Sequence, residues 1–237
     1  MEELFSKKNR FLVVAAHPDD EVLAIGGILA LARDKGVEVA VQFLGEGVSA
    51  RFSPEEFDNH CYQMAMNLRM AGAKAALSLL GIEKVSYENH YCCRFDRLDI
   101  LDLVKLIESQ IAVFNPTHIF THNPIEVNID HRITYRAVEA ATRPKPRSAL
   151  RGVYSFEIPC SGNWTFDDSF KPNLYVDVKK VWHDKIAAWN CYEGEERDFP
   201  FPRSVKGLET MAQYRGMQAG LEFAEGLRLL RGLVVCN

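Results

Sequence analysis

The five residues His17-Pro18-Asp19-Asp20-Glu21 put an imidazole and three carboxylates into one short stretch. Such a cluster has two uses: holding a metal ion or moving protons. A second stretch, His122 to His131, carries two more histidines and Asp130. Brought together, His17, Asp20 and His131 would offer two imidazoles and one carboxylate with a position left open, the ligand set of a catalytic zinc site. A closed structural site would want a fourth protein ligand, and none stands out. Each residue also has a plainer role. A short acid at a helix start satisfies free N–H groups and suits the helix dipole. That accounts for one acid but not for two beside a histidine, whereas Glu21 fits a first-turn or supporting role. Alone, His131 would be a helix-start residue next to a capping Asp130, which can also orient a neighbour at the same time; paired with His17 it becomes a ligand candidate.

Other residues are weaker candidates. His122 serves either as a substrate-contacting site residue or as the polar end of a strand. Arg51 is the arginine best placed to touch a substrate, while Arg69 and Arg94 read as surface or ion-pair residues. Cys92-Cys93 reads as buried packing rather than a reactive pair. Trp164, Tyr192 and Phe199 could line a sugar cleft, although most aromatics belong to the core.

The elements that must position these groups follow from periodicity. Phe11 to Ala16 is an apolar run that stops at His17, and Val22, Leu23, Ile25, Ile28, Leu29 and Leu31 then recur at helical spacing. This predicts a buried strand, a charged turn and a helix packed back on the sheet. Further strands are expected at Val37 to Leu44, Lys84 to Tyr87, Thr117 to Thr121, Val153 to Ile158 and Leu174 to Val178. Helices are expected from Ser53-Pro54-Glu55-Glu56 to Leu80, over Leu98 to Phe114, His131 to Thr142 and Val181 to Tyr192, and across a final helical region, Leu208 to Arg231. Arg143 to Arg147 is a rigid, proline-bearing break. Alternating strands and helices argue an α/β protein with a mostly parallel sheet, helices on both faces and a less regular C-terminal part. In such a sheet the loops after parallel strands share one edge, where ligands bind.

The bulk numbers bound the rest. A chain of 237 residues, 47% hydrophobic and 25% charged, fits one soluble globular domain. A formal charge of −4 gives no electrostatic case for nucleic acid or an anionic membrane. None of the six cysteines forms a CxxC pair, and no stretch is long enough to span a bilayer. The polar start, MEELFSKKNR, is unlike a signal peptide, so reduced thiols in a cytoplasm are expected. A dinucleotide-binding module would need a glycine-rich turn after the first strand, and carboxylates there would repel a pyrophosphate.

The string AHPDDE after the first strand, Gly26-Gly27 in the first helix and Asn128-Ile129-Asp130-His131 resemble the PIG-L/LmbE-like family of zinc-dependent N-acetylglucosaminyl deacetylases. Gly45-Glu46-Gly47, and Arg215-Gly216 with Gly220, Ala224 and Glu225, extend the resemblance over most of the chain. The resemblance implies a Rossmann-like fold forming a single domain over 1–237. It implies His17, Asp20 and His131 as metal ligands and Asp19 as general base. The metal would be Zn2+, with Fe2+ an alternative for the same donors. The substrate would be a small molecule or glycan bearing an N-acetyl amino sugar, and homo-oligomerisation stays open. Many members have histidine where this chain has Asn128. Asn128 can donate a hydrogen bond to an oxyanion but cannot act as a general acid. Protonation of the leaving nitrogen then falls to Asp19, with His122 the second candidate. Hydrolysis of another acyl amide or an ester, or a non-catalytic binding role, are the alternatives.

Overall fold

The computed structural model describes residues 4–146, 148–166 and 168–234. The polar residues Met1 to Glu3, Arg147 at the end of the rigid break and the thiol of Cys236 lie outside the described residues. Strand β1 (Arg10–Ala15) is buried beyond its first residue. Its side chains alternate between two cores, Phe11, Val13 and Ala15 in one and Leu12 and Val14 in the other. That is the period-two signature of a central strand covered on both faces. Strands β2 (Glu38–Gly45), β3 (Lys84–His90), β4 (His118–Thr121) and β5 (Gly152–Ser155) run parallel to it. Helices α1 (Asp20–Lys35), α2 (His60–Leu79) and α5 (Trp182–Trp189) cover one face, and α3 (Ile100–Phe114) and α4 (Ile129–Ala141) the other. Strands β6 (Leu174–Asp177) and β7 (Ala224–Gly232) complete a seven-stranded sheet, β7 running antiparallel to both neighbours.

The sheet order is β3-β2-β1-β4-β5-β7-β6. The chain builds outward from β1 to β3 and then returns to lay β4 on the other side of β1. The gap between β1 and β4 is therefore the topological switch point, where α/β sheets hold their ligands. Val14 pairs with Thr121, so the turn after β1 and the loop after β4 leave side by side.

Two expected elements differ. Ser53 to Glu56 closes its own capping box around one 3-10 turn, and α2 starts afresh at His60 under the Asn59 cap. The final helical region also splits. A helix α6 (Val205–Met217) ends before Gly220, whose φ is +69°, and the remainder is strand β7. Ala224 to Gly232 contains leucines and arginines that suit a helix, but ladders to β5 on one side and β6 on the other override that local preference.

Candidate metal centre

The turn after β1 is built around an unusual backbone. Asp19 has φ 130° and ψ −29°, outside the regions a residue with a Cβ prefers. Surrounding contacts hold it there, as strained site residues require. Its N–H donates to Glu21 Oε2 at 3.0 Å. Its Oδ2 receives Arg69 Nη1 at 2.7 Å and Arg203 Nη1 at 3.2 Å, and Arg69 also donates to Pro18 O at 2.6 Å. Arg69 and Arg51 both reach Glu195, which extends the ion-pair network, although Arg203 Nε stays without a partner among the described residues. Asp20 does the reverse. It receives the His17 N–H at 2.8 Å and turns toward the imidazoles of His17, His122 and His131. Two adjacent acids thus serve two different surroundings.

Candidate ligand atoms of His17, Asp20 and His131 all lie within 4.8 Å of one another, and all three residues are buried. Asp20 Oδ1 and His131 Nε2 stand 3.5 Å apart, and each is a buried polar atom without a hydrogen-bond partner among the described residues. Leaving such atoms unsatisfied is costly, so a ligand that accepts both lone pairs fits the gap. Each imidazole is backed by a carboxylate. Asp130 Oδ2 lies 2.9 Å from His17 Nε2, and Glu126 is in close contact with His131 Nδ1. Those partners turn His17 Nδ1 and His131 Nε2 toward Asp20, the carboxylate–histidine–metal arrangement of ligating histidines. Two other trios, His122–Glu126–His131 and His17–Cys92–Asp130, are equally compact. In both, however, some of the close atoms already hydrogen-bond each other, so the trio around Asp20 suits a divalent cation best.

The charges differ between the two imidazoles. Burial lowers the His131 pKa more than Asp20 raises it, which favours the neutral imidazole that ligates metals. At His17 burial is outweighed by Asp130 and Asp20, which raise its pKa to about 10, so a cation bound there must displace a proton from this imidazole.

The remaining candidates fall in different places. Asn128, not Asp130, caps α4: its Oδ1 accepts the Asp130 N–H at 2.9 Å, and its side-chain NH2 donates to no other group among the described residues. Asp130 is instead spent on orientation, accepting from Cys93 N and Phe95 N as well as meeting His17. His122 is fully buried, accepts the Ala16 N–H through Nε2 at 2.9 Å and stacks on His131 with centroids 4.0 Å apart. It lies beneath the ligand trio rather than on a substrate surface. Arg51 is half exposed and paired with Glu195. Tyr192 is buried and donates to Glu21, whereas Trp164 and Phe199 are exposed. Glu126, Arg203 and Glu195 escaped the sequence pattern. A loop acid five residues before His131 has no periodic signature, and Arg203 reaches Asp19 across 184 positions.

The fold and site define an α/β protein with two imidazoles and one carboxylate gathered at the switch point of its sheet, a donor set able to hold a divalent cation. Residues 12–142, more than half the chain, match the PIG-L family model described as GlcNAc-PI de-N-acetylase. The chain belongs to the PIG-L family, and the matched segment carries every member of the trio and both carboxylates behind it. It is 27% identical over 248 residues to the diacetylchitobiose deacetylase of Thermococcus kodakarensis, spanning 98% of this chain and 86% of that one. The N,N'-diacetylchitobiose deacetylase from Pyrococcus horikoshii superposes with a TM-score of 0.73 at 21% identity, over 94% of this chain and 84% of that one. GalB, the 4-carboxy-2-hydroxymuconate hydratase of Pseudomonas putida KT2440, superposes with a TM-score of 0.76 at 24% identity, over 97% and 99%. The shared fold therefore spans two reaction types.

Proposed function

We propose that this protein is a metal-dependent hydrolase that removes the N-acetyl group from an N-acetylglucosamine-type sugar or its conjugate. The observation that supports this most is the facing pair of unsatisfied buried atoms, Asp20 Oδ1 and His131 Nε2, beside carboxylate-backed imidazoles. Zn2+ fits this donor set, and Fe2+ suits it too. When bound, such a cation supplies polarisation of the acyl carbonyl and a more acidic water. The chain supplies the rest. His17, Asp20 and His131 would hold the ion, with Asp130 and Glu126 orienting the two imidazoles.

Asp19 takes the proton from the attacking water and returns it to the departing amine, as general acid–base catalysis requires. Arg69 and Arg203 fix its Oδ2, so its position is set before substrate arrives. The free NH2 of Asn128 donates to the oxyanion. His122 supports the trio from below through its stack on His131. Arg51, at the half-exposed end of the Glu195 network, is the substrate contact. Five free described thiols suit a reducing cytoplasm. Among the described residues no helix is long and apolar enough to cross a membrane.

The test is acetate and free-amine release from N,N'-diacetylchitobiose and from N-acetylglucosamine conjugates, with metal content measured on the same sample. Chelator-sensitive release, restored by zinc or ferrous iron at about one ion per chain, is expected. Hydration of an unsaturated tricarboxylate such as 4-carboxy-2-hydroxymuconate without any acetate release would replace this function with the hydratase type.

A further inference from the structure

The vicinal thiols Cys92 and Cys93 sit against the metal pocket in an arrangement that the proposed hydrolysis does not use. Cys92 is buried and Cys93 is exposed, so the pair is half accessible rather than wholly packed away. Their sulfurs are 3.8 Å apart, with the Cys92 thiol donating. Cys93 has φ 58°, a left-handed backbone that residues with a Cβ adopt infrequently. The amides of the pair are both committed to buried acids. Cys92 N donates to Glu46 Oε1 at 2.8 Å and to Ser49 Oγ at 2.7 Å. Cys93 N donates to Asp130 Oδ2, the same oxygen that meets His17 Nε2. One peptide thus links an exposed thiol to the carboxylate that aims a candidate metal ligand.

We propose that Cys92–Cys93 is a peroxide-sensitive modification site whose closure to a vicinal disulfide loosens Asp130 and, through it, His17. The accessible Cys93 thiolate attacks hydrogen peroxide: an S–O bond forms, the O–O bond breaks and hydroxide leaves. Cys92 sulfur then attacks the resulting sulfenic acid. The S–S bond forms, the S–O bond breaks, and water departs with the Cys92 proton. The two sulfurs together lose two electrons and the peroxide gains them. The hydrogen bond from Cys92 also holds the Cys93 thiol below the usual thiol range, which favours it as the attacking group. Neighbouring Cα atoms across a trans peptide are about 3.8 Å apart, less than the roughly 4.4–6.8 Å that disulfides span. Closure therefore forms an eight-membered ring and rotates the peptide between the two residues. The N–H of that peptide belongs to Cys93 and is the one that holds Asp130.

The experiment treats the zinc-loaded full chain with equimolar hydrogen peroxide, blocks free thiols and maps peptides without reduction. The expected result is loss of two hydrogens confined to the peptide containing residues 92 and 93, reversed by dithiothreitol. Zinc affinity, read by competition with a chromophoric chelator, should weaken at least about 10-fold in the oxidised form, as when a ligating histidine loses its carboxylate support. Cys93→Ser should keep its own untreated zinc affinity after peroxide. Oxidation at Cys61 or Cys191 while residues 92 and 93 stay reduced would overturn the proposal. So would conversion of Cys93 straight to sulfinic acid, or a disulfide that leaves zinc affinity unchanged. The effect on turnover rests on the deacetylase reading, but mapping and zinc affinity need no substrate, so failure of that function and failure of this site are separable.

Discussion

The turn after β1 has two sides that solve the burial of charge in opposite ways. On the arginine side, buried Asp19, Glu195 and Arg69 are ion-paired with one another, with Arg203 and with the half-exposed Arg51, and Arg203 Nε alone of these charged groups' atoms lies buried without a partner among the described residues. On the imidazole side, Asp20 Oδ1 and His131 Nε2 face each other without partners. Asp19, Asp20 and His131 are all out of water, and an unpaired polar atom there carries a penalty that a paired one avoids. The difference separates a scaffold from a receptor. The arginine side holds a strained backbone with ion pairs, whereas the proposed function has the imidazole side completed by a cation.

Breaking the receptor should have the largest effect. His131→Ala removes one of the two facing atoms; bound metal should fall to near zero by elemental analysis and acetate release to background. If metal stays at wild-type stoichiometry, the trio is not the site. Breaking the scaffold should act on stability and, through the loosened general base Asp19, on turnover rather than on metal content. Arg69→Ala leaves Asp19 and Glu195 buried with less compensation, a loss of about 3–5 kcal/mol in denaturant unfolding, while the folded fraction keeps its metal. Asn128→Ala tests a residue on neither side. A rate loss of roughly 10²–10³ is expected for a missing oxyanion donor, with little change in metal content. Near-wild-type turnover would remove Asn128 from the chemistry.

Asp130→Asn weakens the support of His17 along with the bonds that Asp130 accepts from Cys93 N and Phe95 N, so metal affinity should fall about 10–100-fold with a smaller stability loss than Arg69→Ala. The smallest effect lies away from both sides. Burial, helped by the nearby Arg151 charge, lowers the His118 pKa from 6.5 to about 4. The unfolded chain thus binds this proton more readily than the folded one. The stabilising contribution is present above pH 6.5 and is lost as pH falls toward 4. His118→Gln should flatten the stability profile over that window and leave metal binding at neutral pH untouched.

The strand, turn and helix around HPDDE were readable because their periodicities change abruptly at His17. The trio was readable because parallel strands place their following loops on one edge. Other features were not. The expected helix at Ala224 to Gly232 became a strand because β5 and β6 offered ladders on both sides. Asp130 looked like the cap of α4, yet Asn128 took that role and released Asp130 to His17. Tyr192 looked available for a cleft and instead closes over Glu21.

By itself, then, the amino-acid order determined the donor types, their place after β1 and β4, and the α/β class, because these depend on local periodicity and on turn chemistry. Only the tertiary structure decided which acids back the imidazoles, which arginines hold Asp19, and that Cys93 touches Asp130. Those contacts join loops from β1, β3, β4 and the segment before α6 at one sheet edge. Their partners are chosen by strand order and packing, and separation along the chain carries no periodic trace of that choice.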